Sequence, residues 1–427
     1  MKKTVVLFLL TGLFLRCSVD SLQTIYYSVN EPVFTSSTAF RNSIKVTANI
    51  HELDECGKIC FYNDYLYISE PGKGIHIIDN TNPSLPQKKG YIEIAGNQDL
   101  VVRDNCLYAD ALVDLVWFDV SNPSQPVLKG RIENLFPEAL PPIENEYGYD
   151  YTLCQAGIAQ GKIVTGWQLK EHKQKNHYRS NSSESLYDFS APTLTQGNPF
   201  GGTKRASTTC FSLYDDYLYT VANYQMNIMD LSGEKPEKAA DNIFAGNAET
   251  VFSYRDKLFI GTPSGLTIYS IEDPLHPVFY SQIMHVYSNC NPFAVDEDLV
   301  YITILSGNLC GQTIDQLRIF DISDADSPTE VASYSMNSPK GLGINQGMLF
   351  LCDAGLKIFK TGDPKTLINN QFTYYTQVDG YDLLFFNNIL LIIADDGLYQ
   401  YDYSFYSASS NAGNIRLLSV IPRKLHL

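Results

Sequence analysis

Short apolar runs separated by polar turns recur along the chain at a nearly constant interval. The stretch 74–94, GIHIIDNTNPSLPQKKGYIEI, sets the pattern: an apolar strand through Ile75, Ile77 and Ile78, an Asp at its end (Asp79), a turn on Asn82-Pro83 and Pro86, and a second strand near Gly90. Aligned on the residue that ends the apolar strand, the copies fall at Asp79, Asp119, Asp230, Ser270, Asp321, Lys360 and Asp402, separated by 40, 111, 40, 51, 39 and 42 residues. The long interval has room for one more unit and an insertion.

A hairpin precedes each copy. CFYNDYLYIS, LVVRDNCLYAD, CFSLYDDYLYTV, VFSYRDKLFIG, FAVDEDLVYIT, LGINQGMLFLC and LLFFNNILLIIA each place Asn, Asp, Gly or a similar polar pair between two apolar strands, and such residues accept left-handed backbone or form Asx turns. A repeat is therefore four strands. A four-stranded unit of this size cannot bury both faces alone, and stacking copies around an axis solves that problem. The pattern predicts an all-β fold, a single β-propeller of four-stranded antiparallel blades. Eight blades are favoured when the stretch 152–169, TLCQAGIAQGKIVTGWQL, is read as a degenerate hairpin unit; seven is the alternative if that stretch decorates the ring. A solenoid would need polar caps, whereas the last unit ends on an apolar strand (Leu417, Leu418, Val420) that suits closure.

The ends differ from the repeats. Lys2 and Lys3 precede an apolar run from Val5 to Leu10 and a second from Leu13 to Leu15, the build of an export signal and too short for a permanent membrane span. No later stretch is long and apolar enough to make a polytopic membrane protein. The stretch Phe14-Leu15-Arg16-Cys17 resembles the lipobox of bacterial lipoproteins, which would make Cys17 the lipidated first residue of the mature chain; the alternative is a cleaved signal and a soluble exported protein. The expected organisation is a signal at 1–17, an N-terminal extension at 18–56 that packs outside or closes the fold, the repeat propeller at 57–422 with a polar insertion at 170–205, and a tail at 423–427.

Composition narrows the partners. A formal charge of -16 argues against nucleic acid, because phosphate binding needs clustered Lys and Arg. Cysteine is read against an oxidising address. Cys106 and Cys352 sit singly in apolar strands and read as small buried hydrophobes. Cys290 and Cys310 flank one expected hairpin at the same end and form a candidate disulfide. Cys56 and Cys60 lack the companions of a zinc site, so no resident metal is expected.

The strands LRIFD, LVWFD and GIHIID, with the turns NPSLP, NPSQP, DPLHP and DADSP, resemble the LVIVD-repeat family, β-propeller-forming repeats of exported and surface proteins in bacteria and archaea. The resemblance covers roughly 57–422. With the lipobox-like start it is most similar to a cell-envelope lipoprotein of Bacteroidetes type, which implies an outer-membrane protein facing the periplasm or the cell surface, held by its lipid anchor only. The family carries no agreed catalytic residues.

Candidate site residues follow from the alignment. The start of each blade's first strand lies at one mouth of a propeller channel, where Lys58, Asp99, Glu249, Asn291, Lys340 and Asp382 are expected, with His285 nearby. Charges of both signs there could orient a sugar or a peptide, and Asp99, Glu249 and Asp382 could hold a hard cation such as calcium; equally, polar groups line any wet channel. The Asp that ends the third strand recurs too regularly for one active site, and its expected task is to accept backbone N–H groups of the next turn. His172 and His177 fall in the polar insertion and are expected to be solvated. Tyrosines near loops, Tyr147, Tyr149, Tyr151 and Tyr287, could stack on sugar rings. No G-x-S-x-G elbow, H-E-x-x-H helix, P-loop or dinucleotide fingerprint is present. The leading expectation is a non-catalytic envelope propeller that binds or adheres to a protein or carbohydrate ligand through one face. The alternatives are a propeller glycosidase or lyase that uses Glu249, Asp382 and His285 as acid and base, and a structural subunit of an envelope complex.

Overall fold

The computed structural model describes residues 22–47, 51–137, 139–143, 147–177, 194–195, 210–222, 224–246, 248, 250–262, 264–284, 292–306, 314–404 and 415–424. Among the described residues eight sheets are present, the count that the sequence favours. Seven are meanders that follow one another along the chain at 59–93, 100–132, 210–246, 250–284, 293–335, 339–375 and 380–422. Below they are the first to seventh sheets.

Each meander opens on the hairpin that the sequence predicts. Asn63 and Asp64 both take positive φ, as do Asp104 and Asn105, so these turns are of the type that matches strand twist. The second and third strands are buried almost throughout, for example Tyr65–Glu70 and Gly74–Asp79, because sheets cover both of their faces. The fourth strand is outermost and keeps exposed residues, as in Thr329–Ser335. Gly74 enters the third strand at φ 154°, where an added Cβ would stand 2.1 Å from the Ile92 carbonyl oxygen; only glycine fits so close to the fourth strand.

The repeated Asp does what its position suggests. Asp79, Asp119, Asp230, Asp321 and Asp402 each accept the amide of the residue two further on, at 2.8–3.0 Å, through Thr81, Ser121, Ser232, Ser323 and Ser404. Hydrogen bonds from the hydroxyl and amide of that residue hold the first four carboxyls below their ordinary range. At Asp402 burial pushes upward, but Ser404 and Arg416 outweigh it. The fold thus binds fewer protons than the unfolded chain in acid, and these carboxylates stabilise it fully above their unfolded pKa, about 4. That stability is lost as pH falls through the lower folded values. Thermal melts from neutral pH to about pH 2.5 should be flat at first and then fall below about pH 4. Asp321→Asn should flatten the fall; an unchanged slope would remove the Asp turns as its source.

Adjacent sheets share apolar clusters and one recurring polar contact. Tyr219 of the third sheet donates to the Pro274 carbonyl in the fourth, Ser281 of the fourth to Ala325 in the fifth, and Tyr334 of the fifth to Pro364 in the sixth. In each case the acceptor sits in the turn after the next sheet's third strand. Ser419 of the seventh sheet donates to Pro83 of the first at 2.6 Å, the same contact. That junction also holds a reciprocal amide pair: Asn80 Nδ2 donates to Gln400 Oε1 at 2.9 Å and Gln400 Nε2 to Asn80 Oδ1 at 2.8 Å, with both residues buried. Phe61 stacks on Phe386, and Ile59, Leu66 and Ile68 join Leu391, Ile393 and Ile421 in one cluster. Leu53 bridges to Arg423, beside the seam. Among the described residues no strand crosses from one sheet to the next here; side chains close the ring, joined by the Lys424 amide donating to the Leu53 carbonyl.

The eighth sheet is built differently. Its main ladder pairs Leu22–Ser36 with Lys162–His177, antiparallel over nearly their whole lengths, and two short strands, Tyr149–Asp150 and Leu194–Thr195, complete it. The stretch 152–169, expected as a hairpin, is instead the helix Tyr151–Ile158 followed by the start of the long strand. Asp150 starts the helix, accepting the Leu153 amide at 2.9 Å, and the strand's partner lies more than a hundred residues upstream. His172 is correspondingly more than a solvated side chain, since it stacks on Tyr27 and contacts Glu31 at 3.0 Å. Upstream, Lys45–Thr47 adds a fifth strand to the outer edge of the first sheet.

The second and third sheets pack directly on each other through Val101, Leu115, Phe211 and Leu218. The eighth sits beside the second, where Phe40 and Ile163 meet Leu112 and Val113. Its polar anchor is Asp114, fully buried, which accepts from Arg41 Nε at 2.9 Å, Arg131 Nη1 at 2.7 Å and the Asn134 amide at 2.8 Å.

Candidate functional site

The first strands of the sheets neighbour one another around the centre, so the residues at their starts share one face. Lys58 and Asp99 immediately precede the first strands of their sheets, and Lys340 and Asp382 lie within the first three residues of theirs. Glu249, Asn291 and His285 lie outside the described residues, as do Cys17 and the Cys290–Cys310 pair.

Lys58 is the centre of the group. Its side chain is exposed, and its charge faces the Asp99 and Asp382 carboxylates. The Asp99 carboxylate raises its proton affinity, burial opposes, and Asp382 adds a weaker pull. Among the described residues Lys58 makes no ion pair within 4.0 Å and no side-chain hydrogen bond, so its charge is balanced at a distance. Asp99 is 2% exposed and already occupied. Its Oδ1 accepts its neighbour Leu100's amide at 2.6 Å, and its Oδ2 accepts the Phe211 amide at 2.9 Å, tying the second sheet to the third. Burial pushes this carboxyl up and Lys58 pulls it back. Asp99 is thus an inter-sheet clamp that also lends its charge to Lys58.

Asp382 is exposed, and its Oδ1 accepts the Leu383 amide at 2.8 Å. Lys340 reaches Asp379 at 3.5 Å on the rim. Beside it a cavity of about 250 Å³ is lined by Asp379, Asp395, Asp396 and Tyr399. The face therefore sets ammonium groups among several carboxylates, an arrangement that can hydrogen-bond hydroxyl, amide and charged groups of a ligand from many sides. The thiols nearby, Cys56, Cys60 and Cys352, are pushed up by burial and are inert as nucleophiles at neutral pH.

Sequence reasoning missed one cluster on the same face. Glu70, 1% exposed, ends the second strand of the first sheet. Its Oε2 lies 2.7 Å from His51 Nε2 and 3.0 Å from His76 Nε2, while Oε1 takes the Lys73 ammonium at 3.1 Å. Burial pushes Glu70 up, but the bonds from His76, His51 and Lys73 outweigh it and hold it at about 2. Burial lowers the proton affinity of His76, and its bond to Glu70 opposes this. The signal in the sequence is a polar residue inside an apolar strand: the His of GIHIID.

Comparison with known proteins agrees with this architecture. The LVIVD repeat model matches residues 56–93, 96–134 and 313–336. No curated protein matches the chain. Among solved structures, the Neurospora crassa Pan2 WD40 domain superposes with TM-score 0.51 at 9% identity, covering 79% of this chain and 86% of its own. BamB from Moraxella catarrhalis gives 0.47 at 9% identity, covering 89% and 97%, and the computationally designed Ika8 protein 0.49 at 10%, covering 88% of each. Such identities speak to the fold and not to a shared activity. With the repeated strand-and-turn signature and the ring of four-stranded sheets, the three matched repeats and the Pan2 superposition identify the chain as a β-propeller that carries LVIVD repeats.

Proposed function

We propose that the protein is a non-catalytic binding propeller whose channel mouth receives a polar ligand, a hydroxyl-rich glycan or a peptide. The observation that carries this reading is Lys58: an ammonium inside the channel, reached by water, balanced by Asp99 and Asp382 without a contact ion pair among the described residues. Its donors are free to turn to a ligand oxygen, and the surrounding carboxylates can accept hydroxyl or ammonium protons. The export-type start, with Lys2, Lys3 and the apolar run into Cys17, supports an address in the cell envelope with a lipid anchor as the only membrane contact. There the propeller would serve as an adhesion or capture platform.

The test is a glycan and peptide array probed with the chain from residue 18 onward, with calcium and again with chelator. Hits are then repeated with Lys58→Gln and Asp382→Asn, which leave the Asp99 clamp intact. Loss of a charge-assisted hydrogen bond should weaken capture by about tenfold or more while the melting temperature holds. Undiminished capture by both variants would remove the mouth as the site. New reducing ends or unsaturated products in the array eluate would turn the reading to a polysaccharide enzyme.

A further inference from the structure

The cluster around Glu70 is set apart by what its counterparts do in other repeats. In the sixth sheet the residue ending the second strand is Asp353, and the place of His76 is taken by Lys357. These two close a 2.6 Å ion pair, and the other Asp353 oxygen accepts the Asn337 and Ser338 amides. In the seventh sheet Tyr399 stands at the His76 position and donates to Asp396 at 2.6 Å. In these two sheets, then, the position carries a donor that pairs with one acid. The first sheet replaces lysine by an imidazole and Asp by the longer Glu70, and brings a second imidazole, His51, from the chain before the sheet.

We propose that His51, Glu70 and His76 form a site for a divalent transition metal, zinc by the character of the donors, with a fourth position open to solvent. One donor atom from each residue lies within 4.8 Å of the others. Metal–ligand bonds of about 2.0–2.2 Å put tetrahedral donors about 3.4 Å apart. The present separations of 2.7 and 3.0 Å from Oε2 therefore need to widen by about 0.7 and 0.4 Å, while the two histidine nitrogens, within 4.8 Å of one another, settle to the same spacing. His51 is 46% exposed, so its ring has room to make that movement and water can reach the open position. Two imidazoles and one carboxylate suit zinc better than the oxygen-seeking calcium or magnesium. Neutral imidazoles shift their proton from Nε2 to Nδ1 on ligation.

Two neighbours set the strength of the site. Lys73 occupies Oε1, which leaves Glu70 to bind through Oε2 only, and Asp54 at 2.7 Å offsets the lysine's charge. His76 Nδ1 is buried with no hydrogen-bond partner among the described residues. A ligating histidine usually donates that N–H, and lacking an acceptor costs about tenfold to hundredfold in affinity. The expected affinity is micromolar. The metal site does not depend on the channel-mouth reading, although the Ser69 amide, next to Glu70, donates to the Lys58 carbonyl and places both groups at one end of the first sheet.

The experiment is calorimetric titration of the metal-stripped full chain, without an affinity tag, with zinc chloride. His51→Ala and Cys60→Ser are titrated in parallel. His51 is half-exposed, so its variant folds, and the melting curve of each protein is recorded with and without zinc. The expected result is one zinc per chain in the wild type and in Cys60→Ser, weakened at least tenfold in His51→Ala, with zinc raising the melting temperature only where it binds. No saturable uptake by a wild type with a normal melt would overturn the proposal. Uptake unchanged in His51→Ala would overturn it too, because the metal would then lie on thiols or carboxylates elsewhere.

Discussion

Asp114→Ala is expected to lower the free energy of unfolding by about 3–5 kcal/mol, the loss that follows when one partner is taken from a buried ion pair. Two guanidinium groups meet on this carboxylate, Arg41 at 17% and Arg131 at 13% exposure, and without it Arg41 keeps only the exposed Glu133 and the Asn134 side chain. Neither is free to reach water without leaving its packing. Arg131 Nη2 also donates to the Arg41 carbonyl at 3.0 Å, so both arginines shift together. Because Arg41 ends the short helix that follows Leu22–Ser36, the variant should also release the eighth sheet. Denaturant titration gives the energy, and limited proteolysis locates the release within residues 22–41 and 162–177. A fall below about 1 kcal/mol, the range of an exposed pair, would show that Asp114 is not the anchor.

The second large effect is expected at the seam between the seventh and first sheets. Gln400→Leu leaves the Asn80 amide buried with neither its donor nor its acceptor answered, and two such unmet groups cost about 2–4 kcal/mol together. Asn80→Leu should cost less, because Gln400 Nε2 keeps Ser419 Oγ at 3.2 Å and the Pro83 carbonyl at 3.4 Å and only Oε1 is left unmet. Replacing both restores an apolar match, so the double variant should regain most of what either single variant loses. A double variant as unstable as the sum of the two would mean that the amides act independently. The readout is the midpoint of urea unfolding, with the slope confirming that both states keep their compactness.

Much of the ring is legible in the sequence because its signals are local. Asn-Asp and Asp-Asn pairs announce tight turns, and the Asp at the end of each third strand announces the Asx turn that Thr81, Ser121 or Ser232 completes. The same alignment puts Lys58, Asp99, Lys340 and Asp382 within a few residues of where their sheets' first strands begin. What each does there is another matter. Asp99 looks like a free carboxylate until its partner, the Phe211 amide, is seen across a gap of more than a hundred residues. The eighth sheet stays hidden in the same way, since Lys162–His177 finds its partner in Leu22–Ser36 and no local pattern records that pairing. His51 and His76 belong to different parts of the chain, an extension and a strand, and only the fold sets both against Glu70.

The seam bears on how such a ring can be cut and rejoined. Every ring sheet is made from one unbroken stretch of chain, and the seam repeats the hydroxyl-to-turn contact of other junctions. Covalent order around the ring is therefore a matter of where synthesis starts, and no sheet is privileged as the first. The Lys424 amide donates to the Leu53 carbonyl at 2.8 Å, so a linker of a residue or two could join these points while the chain is opened at a loop elsewhere. Geometrically the ring is a closed bracelet of interchangeable links, and its clasp can be moved.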